Sequence, residues 1–503
     1  MTEPPRLRAA GLTRRFGPLV ANDAVDLDLH AGQIHALVGE NGAGKSTLMS
    51  LLYGLQRPDD GHIESRGERV AYASPRDAIA DGVGMVHQHF QLFDSLSVAD
   101  NVVYGAEPVR AGGIIDRRRA RAEVAELITG YGSHLPVDAT VGELPMGLRQ
   151  QVEILKALYR GADVLILDEP TAVLTPAETD LLFTSLRRLA AGGAVVVLVT
   201  HKLDEVMAVS SWVTVMRRGA VVASLPTAET SAAALAEAMT GRSIVPVTNE
   251  SETAATETVL TLTDLRVTAD GARTEIRVEE LTVCRGEIVG IAGVTGNGQS
   301  EVVQAVVGLR PCRGAVSLNG VRVDGLDVRR RRGAGIAYVP EDRRGVGTAP
   351  QLSIADNVAV GQRRGFGWLS PRRSGAAAHR LIERHDVRGG GPGTPVAALS
   401  GGNAQKVVIA RELGHDADLL IAENPTQGVD IGAIEYIHGE LLAYRNRGRS
   451  VLLVSNELTE LCALADRVYV MVDGRVVAEI PRSGMSEQSI GAAMTNAGDR
   501  HAG

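Results

Sequence analysis

Short apolar runs rich in β-branched residues recur along the chain, and each ends in a turn that carries polar residues or glycine. The first half contains IHALVG, DVLILDEP and AVVVLVTH, and the second half contains EIVGIAG, DLLIAENP and SVLLVSNE. Runs of this length, separated by helical stretches, are typical of buried strands in a parallel sheet. The pattern therefore predicts an α/β fold in which helices flank a mostly parallel sheet.

The same order of elements occurs twice, which indicates a tandem duplication. Lys45 and Gln299 occupy matching positions that are 254 residues apart (299 − 45). Asp168 and Glu423 match at a separation of 255 residues (423 − 168). The two copies therefore align with almost no slippage.

The repeat also predicts where the domains lie. Residues 95–160 of the first copy are mainly helical in pattern, which predicts a helical subdomain inserted between two strands of the α/β core. The short polar stretch between the copies has no apolar face and is predicted to be a linker. The predicted divisions are a first domain at 1–245, a linker at 246–257, a second domain at 258–494 and a flexible tail at 495–503.

The composition and charge of the chain limit the classes of protein to which it can belong. The chain has 503 residues, of which 44% are hydrophobic and 22% charged, and its formal net charge is −8. An acidic chain of this kind is poorly suited to a bare phosphate backbone, so we expect no nucleic-acid partner. The longest apolar runs, such as AVVVLV, fall far short of the roughly 18 residues of a membrane span. We expect membrane association only through partner proteins.

A phosphate-binding loop follows the first apolar run. GENGAGKS matches the pattern G-x-x-x-x-G-K-S/T between a predicted strand and the helical stretch STLMSLLYGL. In such loops the backbone N–H groups surround phosphates, the lysine reaches the β- and γ-phosphates, and the hydroxyl can bind Mg²⁺. The sequence therefore predicts ATP and Mg²⁺ as ligands. The residues predicted to bind the nucleotide in this loop are Gly39, Asn41, Gly42, Gly44, Lys45, Ser46 and Thr47.

Two adjacent carboxylates, Asp168 and Glu169, end another apolar run. Such a pair is unfavourable in a buried position unless a cation or a substrate stabilises it. We therefore predict that Asp168 holds Mg²⁺ through its water shell, together with Ser46. Glu169 is then placed to polarise the attacking water.

Three further side chains are candidates because of their positions. Gln88 and His201 each follow a predicted strand, where a polar tip can meet the γ-phosphate, and Gln88 is also a candidate metal ligand. Phe16 precedes the first buried strand and is a candidate for stacking on adenine. Taken singly, Gln88 and His201 fit a structural role more readily, and Phe16 fits a core position as readily as a stacking role.

These motifs, in this order and repeated, resemble the ATP-binding subunit of an ABC transporter. The stretches that carry the resemblance are the phosphate loop, VHQHF, VEILKALYRGADVLILDEPTAVLTP and the histidine after the next strand. The tandem form, with LSGGNAQKVVIARELGHDADLLIAENPTQGVD in its second half, is similar to the fused ATPases of simple-sugar and nucleoside importers. The resemblance covers nearly the whole chain and implies an ATP-hydrolysing motor.

The second copy departs from the family pattern at its own nucleotide-binding positions. Gln299 replaces the lysine, Asn424 replaces the second carboxylate, and Asp270 at the Phe16 offset cannot stack on a base. A lost charge-assisted hydrogen bond removes roughly 1.5 to 3 kcal/mol of binding, and a lost base lowers the rate about 10²- to 10⁴-fold. We expect weak binding at most and no hydrolysis. The predicted degenerate site comprises Gly293, Gly298, Gln299, Ser300, Glu341, Glu423, Asn424 and Asn456.

The second copy nevertheless keeps a signature that the first copy has lost. LSGGN corresponds to LPMGL in the first copy, where Pro145 replaces the serine, and Asp430 corresponds to Thr175. In the family's head-to-tail dimer, each nucleotide lies between one phosphate loop and the opposite signature. The resemblance therefore implies one intact site, built from the first phosphate loop and the second signature. The residues assigned to it from the second copy are Ser400, Gly401, Gly402, Asn403 and Asp430.

The resemblance also implies partners and a location. We expect two transmembrane permease subunits, contacted through HFQLFDSLSVADNVVYG, and indirectly an extracellular or periplasmic substrate-binding protein. The expected location is the cytoplasmic face of the cell membrane. ENPTQGVDIGAIEYIHGELL and GVTGNGQSE favour nucleosides over monosaccharides of the ribose, galactose or xylose type. A ribosome-acting or DNA-repair ATPase is the alternative class, but the short linker and the eroded site favour an importer.

Overall fold

The computed structural model describes the greater part of the chain as two compact units, residues 1–244 and 245–503. Each unit has an α/β core with helices inserted between two strands of its sheet, so the predicted fold of two tandem phosphate-loop domains is confirmed. The described residues are 4–87, 90–171, 174, 176–243, 247–249, 257–268, 275–294, 296–361, 370–415 and 417–498.

The first unit contains a four-stranded antiparallel sheet and a six-stranded sheet. Its strands are β1 Leu7–Phe16, β2 Leu19–Leu29, β3 Ile34–Gly39, β4 Asp60–Ser65, β5 Glu68–Val70, β6 Val83–Val86, β7 Val164–Asp168, β8 Val195–Val199, β9 Trp212–Arg217 and β10 Ala220–Pro226. The small sheet has the order β2-β1-β4-β5, and the large sheet has the order β10-β9-β3-β8-β7-β6. In the large sheet all pairs are parallel except that of β9 with β10.

Helices cover the sheets of the first unit and also form a separate helical layer. They are α1 Lys45–Leu52, α2 Pro75–Ala80, α3 Val98–Val103, α4 Arg117–Tyr131, α5 Met146–Tyr159, α6 Pro176–Ala191, α7 Leu203–Val209 and α8 Ala232–Thr240. The helices α3, α4 and α5 lie between β6 and β7 in the chain, and their apolar faces share one buried cluster with α6. The helical subdomain predicted over residues 95–160 is thus present.

The second unit repeats this plan within one ten-stranded sheet. Its strands are β11 Thr258–Thr268, β12 Glu275–Cys284, β13 Ile288–Ala292, β14 Arg313–Leu318, β15 Val321–Arg322, β16 Ile336–Val339, β17 Leu419–Glu423, β18 Ser450–Val454, β19 Arg467–Val472 and β20 Arg475–Pro481. The order is β15-β14-β11-β12-β20-β19-β13-β18-β17-β16. A single pair, Arg277 with Arg475, connects β12 to β20 and so joins the two parts of the sheet.

The helices of the second unit follow the same order as those of the first. They are α9 Gln299–Val307, α10 Val328–Ala334, α11 Ile354–Gly361, α12 Pro371–Arg384, α13 Gly401–Leu413, α14 Ile431–Asn446, α15 Leu458–Leu464 and α16 Glu487–Gly498. A π-helical turn, Arg343–Gly347, follows β16. No helix in the described part of the chain is both long and apolar enough to cross a bilayer.

The ends of the predicted domains are seen only in part. Of the predicted linker, only residues 247–249 and 257 are described, and Asn249 is buried in the second unit, where its Nδ2 donates to Leu464 O at 3.0 Å. The helix α16 continues to Gly498, so the first four residues assigned to the tail are helical.

The register of the large sheet in the first unit brings three strand ends together. Val199 at the end of β8 pairs with Leu37 of β3 on one side and with Asp168 of β7 on the other. The three strands are parallel, so their carboxyl ends meet at one edge. This edge is where open α/β sheets bind ligands.

Candidate nucleotide-binding site

The first phosphate loop joins β3 to α1 and requires glycine. Gly42 and Gly44 have φ angles of 82° and 100°, in a region that other residues rarely adopt. A Cβ on Gly44 would overlap the carbonyl oxygen of Ala21. Glycine therefore allows the loop to adopt this backbone and to pack against β2 directly before α1, as in an anion-binding loop.

Lys45 is the first residue of α1, and its side chain folds back over the loop. Its Nζ donates to the carbonyl oxygens of Gly39 at 2.6 Å and Glu40 at 3.0 Å, and the residue is 7% exposed. Burial lowers the pKa of Lys45, whereas the negative charges of Glu169 and Asp168 raise it. A largely buried amine thus lies at the loop, beside two carboxylates.

The two carboxylates differ in their surroundings. Burial raises the pKa of Asp168, and the neighbouring Glu169 raises it further. The pKa of Glu169 is lowered, chiefly by its hydrogen bond with His201, in which Nδ1 and Oε1 are 2.9 Å apart. Asp168 is therefore a carboxylate that a bound cation would stabilise, and Glu169 is one that its neighbour keeps ionised.

A second network connects the turn after the carboxylates to the loop that carries His201. Thr171 Oγ1 donates to Glu205 Oε1 at 2.6 Å, and Lys202 Nζ lies 3.7 Å from the same oxygen. Sequence reasoning missed Thr171 and Glu205, because an acidic residue in the first turn of a helix is ordinarily explained by the helix dipole. The available signal was Glu460, which repeats Glu205 at a separation of 255 residues (460 − 205).

The structure describes some, but not all, of the remaining candidate residues of the first copy. Phe16, at the end of β1, is 43% exposed, and Arg14 Cζ lies 5.1 Å from its ring centroid. The exposed ring is available for stacking on a base. Ser46 is exposed in the first turn of α1. Three residues of the sequence-based assignment fall outside the described residues, namely Gln88, Thr175 and Asp270.

The second phosphate loop keeps the backbone of the first but has no cation at the lysine position. Gly298 has a φ of 102°. Gln299 is 5% exposed, and its Nε2 donates to the carbonyl of Val294 at 3.2 Å. The amide also lies against Gly293, where a Cβ would overlap its nitrogen. Gln299 is thus a neutral side chain that is bound to its own loop.

The carboxylate at the end of β17 is held by neighbours in the same unit. Glu423 is 3% exposed, and Tyr338 Oη donates to its Oε2 at 2.6 Å. Burial raises the pKa of Glu423, hydrogen bonds from Ser300 and Tyr338 oppose this, and the charge of Glu341 adds to it. Sequence reasoning missed Tyr338, although the first copy has the apolar Met85 at the matching strand position.

Neutral amides replace the glutamate and histidine of the first copy. Asn424 has a φ of 41°, and its N–H donates to Val454 O at 2.7 Å. Its Oδ1 accepts from the N–H of Asn456 at 2.9 Å. The second unit therefore has the backbone geometry of this turn with an amide at the position of Glu169.

The signature helices also differ between the units. Ser400 caps α13, where its Oγ accepts from Asn403 N at 3.4 Å and from Asn403 Nδ2 at 2.8 Å. In the first unit Pro145 precedes α5 without a side-chain cap. Since a serine cap stabilises a helix start by about 1 kcal/mol, α13 has the better-formed N-terminus.

Asp430 has a structural contact within its own unit. Its Oδ1 accepts from Ala433 N at 2.8 Å and caps α14. Its Oδ2 lies 2.7 Å from the place that a Cβ on Gly402 would occupy. The residues predicted for the second half of the site, Ser400 to Asn403 and Asp430, are therefore close together in the second unit.

The loop, the buried lysine and the carboxylates at the sheet edge define a phosphate-loop ATPase. The family described as ABC transporter matches residues 22–172 and 277–427, together more than half of the chain. The chain belongs to this family, as a tandem ATP-binding protein, and the expected resemblance and ATPase class are confirmed. The two matched ranges are 255 residues apart (277 − 22), in agreement with the repeat.

Curated relatives extend over nearly the full length. The chain is 44% identical to the glucose import ATP-binding protein TsgD13 of Haloferax volcanii, over 99% of this chain and 97% of the relative. It is 40% identical to the nucleoside import ATP-binding protein NupA of Lactococcus lactis subsp. cremoris, over 96% of each chain. It is 41% identical to the guanosine import ATP-binding protein NupO of Bacillus subtilis, over 98% of each chain.

A solved structure shows a similar fold over most of the chain. It is the archaeal ribosome recycling factor aABCE1 in complex with the ribosomal stalk protein aP1, with a TM-score of 0.64 and 18% identity, covering 95% of this chain and 92% of that one. At this level of identity the likeness concerns the fold alone.

Proposed function

We propose that this chain is the ATP-hydrolysing motor of an ABC import system and that it has one working site. The observation that carries the proposal is the unequal chemistry of the two phosphate loops. The first unit combines a buried lysine with an ionised glutamate that is paired with a histidine. The second unit has amides at all three positions.

In the first unit, each side chain has a distinct role toward MgATP. Lys45 binds the β- and γ-phosphates, and the loop N–H groups surround them. Glu169 accepts a hydrogen bond from the attacking water, and His201 orients that carboxylate through their 2.9 Å hydrogen bond. Phe16 supports the adenine by stacking.

The oxygen donors at this edge suit Mg²⁺, which prefers carboxylate, hydroxyl and water oxygens. Ser46 and Asp168 would hold the ion, with Gln88 as a further donor. The pKa of Asp168 is raised by burial and by Glu169, so a cation beside it would relieve an unfavourable charge. Bound magnesium supplies positive charge to the phosphate oxygens.

The second half of the working site is the signature of the second unit. Its helix is capped by Ser400, and the N–H groups of Gly401 and Gly402 lie in its first turn. A helix N-terminus of this kind stabilises an anion. The first unit has Pro145 and the partly exposed Met146 at the matching positions. The losses in the two copies are complementary, which supports a site that joins the first loop to the second signature.

The face that follows β6 supports contact with a membrane subunit. Phe93 and Tyr104 are 44% and 46% exposed, with ring centroids 4.6 Å apart. They line a cavity of about 430 Å³ together with Tyr53, His87 and Lys156. Exposed aromatic residues at the mouth of a cavity are typical of interaction surfaces. We propose that the chain binds two permease subunits and that this face of the first unit is one of the contacts. These contacts would hold the chain at the cytoplasmic side of the membrane.

We favour nucleosides as the imported substrate, and the relatives NupA and NupO support this choice. The similarity to a glucose importer subunit favours a monosaccharide as the alternative. We expect the permease and a separate substrate-binding protein to select the substrate, so we assign no described residue of this chain to its recognition.

Two experiments test the proposal. Affinity purification of the tagged chain from its native host should recover two membrane subunits, and recovery of ribosomes without a membrane protein would contradict the importer. A deletion strain should lose uptake of labelled nucleosides. Loss of ribose, galactose or glucose uptake with normal nucleoside uptake would overturn the choice of substrate.

A further inference from the structure

The turn that follows β16 in the second unit is held in a defined shape. Residues Arg343–Gly347 form a π-helical turn, and Asp342 caps it by accepting from Arg344 N at 3.0 Å and from Gly345 N at 2.8 Å. The turn is closed at its other end by Thr348 Oγ1, which donates to Arg343 O at 2.8 Å. The side chain of Arg343 thus extends from a well-fixed backbone.

The guanidinium of Arg343 binds the loop between β17 and α14. One terminal nitrogen donates to Gln427 O at 2.8 Å, and the other donates to Gly428 O at 3.2 Å. Gly428 has a φ of 61°, so its carbonyl direction depends on a turn that glycine favours. Two backbone carbonyls of one loop are therefore held by one planar cation, an arrangement that suits arginine better than lysine.

The same guanidinium packs against the first residue of the signature helix. A Cβ on Gly401 would lie 3.1 Å from the nearer terminal nitrogen of Arg343. On the neighbouring residue, Gly402, a Cβ would lie 2.7 Å from Asp430 Oδ2. Side chains from two other elements thus lie against the first two residues of α13. Gly401 leaves room for Arg343, and Gly402 leaves room for Asp430.

The positive charge of Arg343 lies beside the N-terminus of α13. A cation beside a helix N-terminus is unfavourable, because that end of the helix carries partial positive charge. Burial lowers the pKa of Arg343, and the neighbouring Arg344 lowers it further. The charge of Asp342 raises this pKa, and Asp430 lies against Gly402 at the same helix end, so a further anion bound there makes the arrangement more favourable still.

We propose that Arg343 is a positioning residue for ATP hydrolysis. It fixes the loop that leads to Asp430 against the first turn of α13, so that the N–H groups of Gly401 and Gly402 keep the orientation that the γ-phosphate requires. The inference rests on the proposed function, since it assumes that this signature completes the site of the first phosphate loop. In the first unit, Met146 takes the place of Gly401 and is 43% exposed.

The test is Arg343→Ala, measured on the full chain together with the membrane subunits that co-purify with it. We expect kcat for MgATP hydrolysis to fall roughly 10- to 100-fold, because small misplacements of binding groups have effects of this order. Binding of a non-hydrolysable ATP analogue should change less than about threefold, because the first phosphate loop supplies most of that affinity. This separation of kcat from affinity is not expected from general loss of folding.

Arg344→Ala is the matched control. Arg344 is exposed, lies on the same turn and carries the same charge, so its removal should leave kcat within about twofold of the wild type. Arg343→Lys tests the geometry, because one ammonium group cannot span both carbonyls as the guanidinium does. We expect Arg343→Lys to regain less than about a tenth of the kcat that Arg343→Ala loses. Arg343→Met, which keeps the apolar stem, replaces Arg343→Ala if the alanine variant does not fold.

Several results would overturn the inference. An Arg343→Ala variant with at least half of the wild-type kcat would do so, as would equal losses in the Arg343 and Arg344 variants. Full recovery by Arg343→Lys would show that charge alone matters. Glu169→Gln in the same preparation separates the two proposals. If it abolishes hydrolysis while Arg343→Ala does not, the role of Arg343 is wrong and the proposed function stands. If Glu169→Gln is harmless, the proposed function itself fails.

Discussion

The two phosphate-loop regions have nearly the same backbone and different chemistry. Gly44 and Gly298 have φ angles of 100° and 102°. The residues after the strand carboxylates, Glu169 and Asn424, have φ angles of 47° and 41°. In both units the N–H of that residue donates to the neighbouring strand. The unusual backbone at Glu169 is therefore a property of the fold, and it does not by itself identify a catalytic residue.

What distinguishes the units is the partners of the side chains. In the first unit the carboxylate of Glu169 pairs with His201, a residue that can be a donor or an acceptor. In the second unit Glu423 accepts from Tyr338, and Asn424 accepts from a backbone N–H. Gln299, Glu423 and Asn424 each have a hydrogen-bond partner within the second unit. The first unit instead has two carboxylates after β7 whose pKa values shift in opposite directions.

The largest predicted difference between the two regions concerns the residue after the strand carboxylate. Glu169→Gln should lower kcat for ATP hydrolysis about 10²- to 10⁴-fold, because the amide keeps the shape but cannot accept a proton from water. ATP binding should be retained, which a binding assay with labelled nucleotide checks. The counterpart Asn424→Gln should leave kcat within about twofold. Equal losses in the two variants would mean that both units hydrolyse ATP.

A smaller effect is predicted for the histidine. His201→Ala should lower kcat about tenfold to a hundredfold at neutral pH, because Glu169 loses the partner that orients it. The hydrogen bond from His201 lowers the pKa of Glu169, so its removal raises that pKa. Glu169 should therefore become protonated at a higher pH in the variant than in the wild type. The acid limb of the kcat profile should move upward in pH, and an unmoved limb would contradict the pairing.

The smallest effect is predicted for restoration of the lysine in the second loop. Gln299→Lys should raise kcat by less than about twofold, because Asn424 still provides no base. In addition, Glu423 remains hydrogen-bonded to Tyr338. Nucleotide-binding stoichiometry and steady-state hydrolysis should be measured together. A doubling of kcat or more would show that the lysine was the only missing group.

The sequence predicted the parts of this site that are local in the chain. The phosphate loop and the carboxylate pair are continuous motifs that follow apolar strands, so periodicity and spacing were enough to find them. Tyr338 was missed because its partner is 85 residues away in the chain. Its role depends on the parallel pairing of β16 with β17, which brings the two strand ends together.

Other residues were missed for related reasons. Arg343 contacts carbonyls that are 84 and 85 residues away, and a run of two arginines in a turn is ordinarily a solvated surface. The link from Thr171 to Glu205 depends on where α7 begins, and helix boundaries are the least certain part of a sequence-based prediction. Contacts of this kind follow from tertiary packing, which a single sequence does not encode locally.

The central claim is that the working site joins the first phosphate loop to the second signature. Its most direct test is steady-state ATP hydrolysis by the transporter complex with Ser400→Arg and, separately, with Pro145→Arg. We expect a loss of about 10²-fold or more for Ser400→Arg, because the added side chain blocks the N-terminus of α13, where the γ-phosphate is expected. For Pro145→Arg we expect a change of less than about twofold. A harmless Ser400→Arg together with a severe Pro145→Arg would contradict the claim.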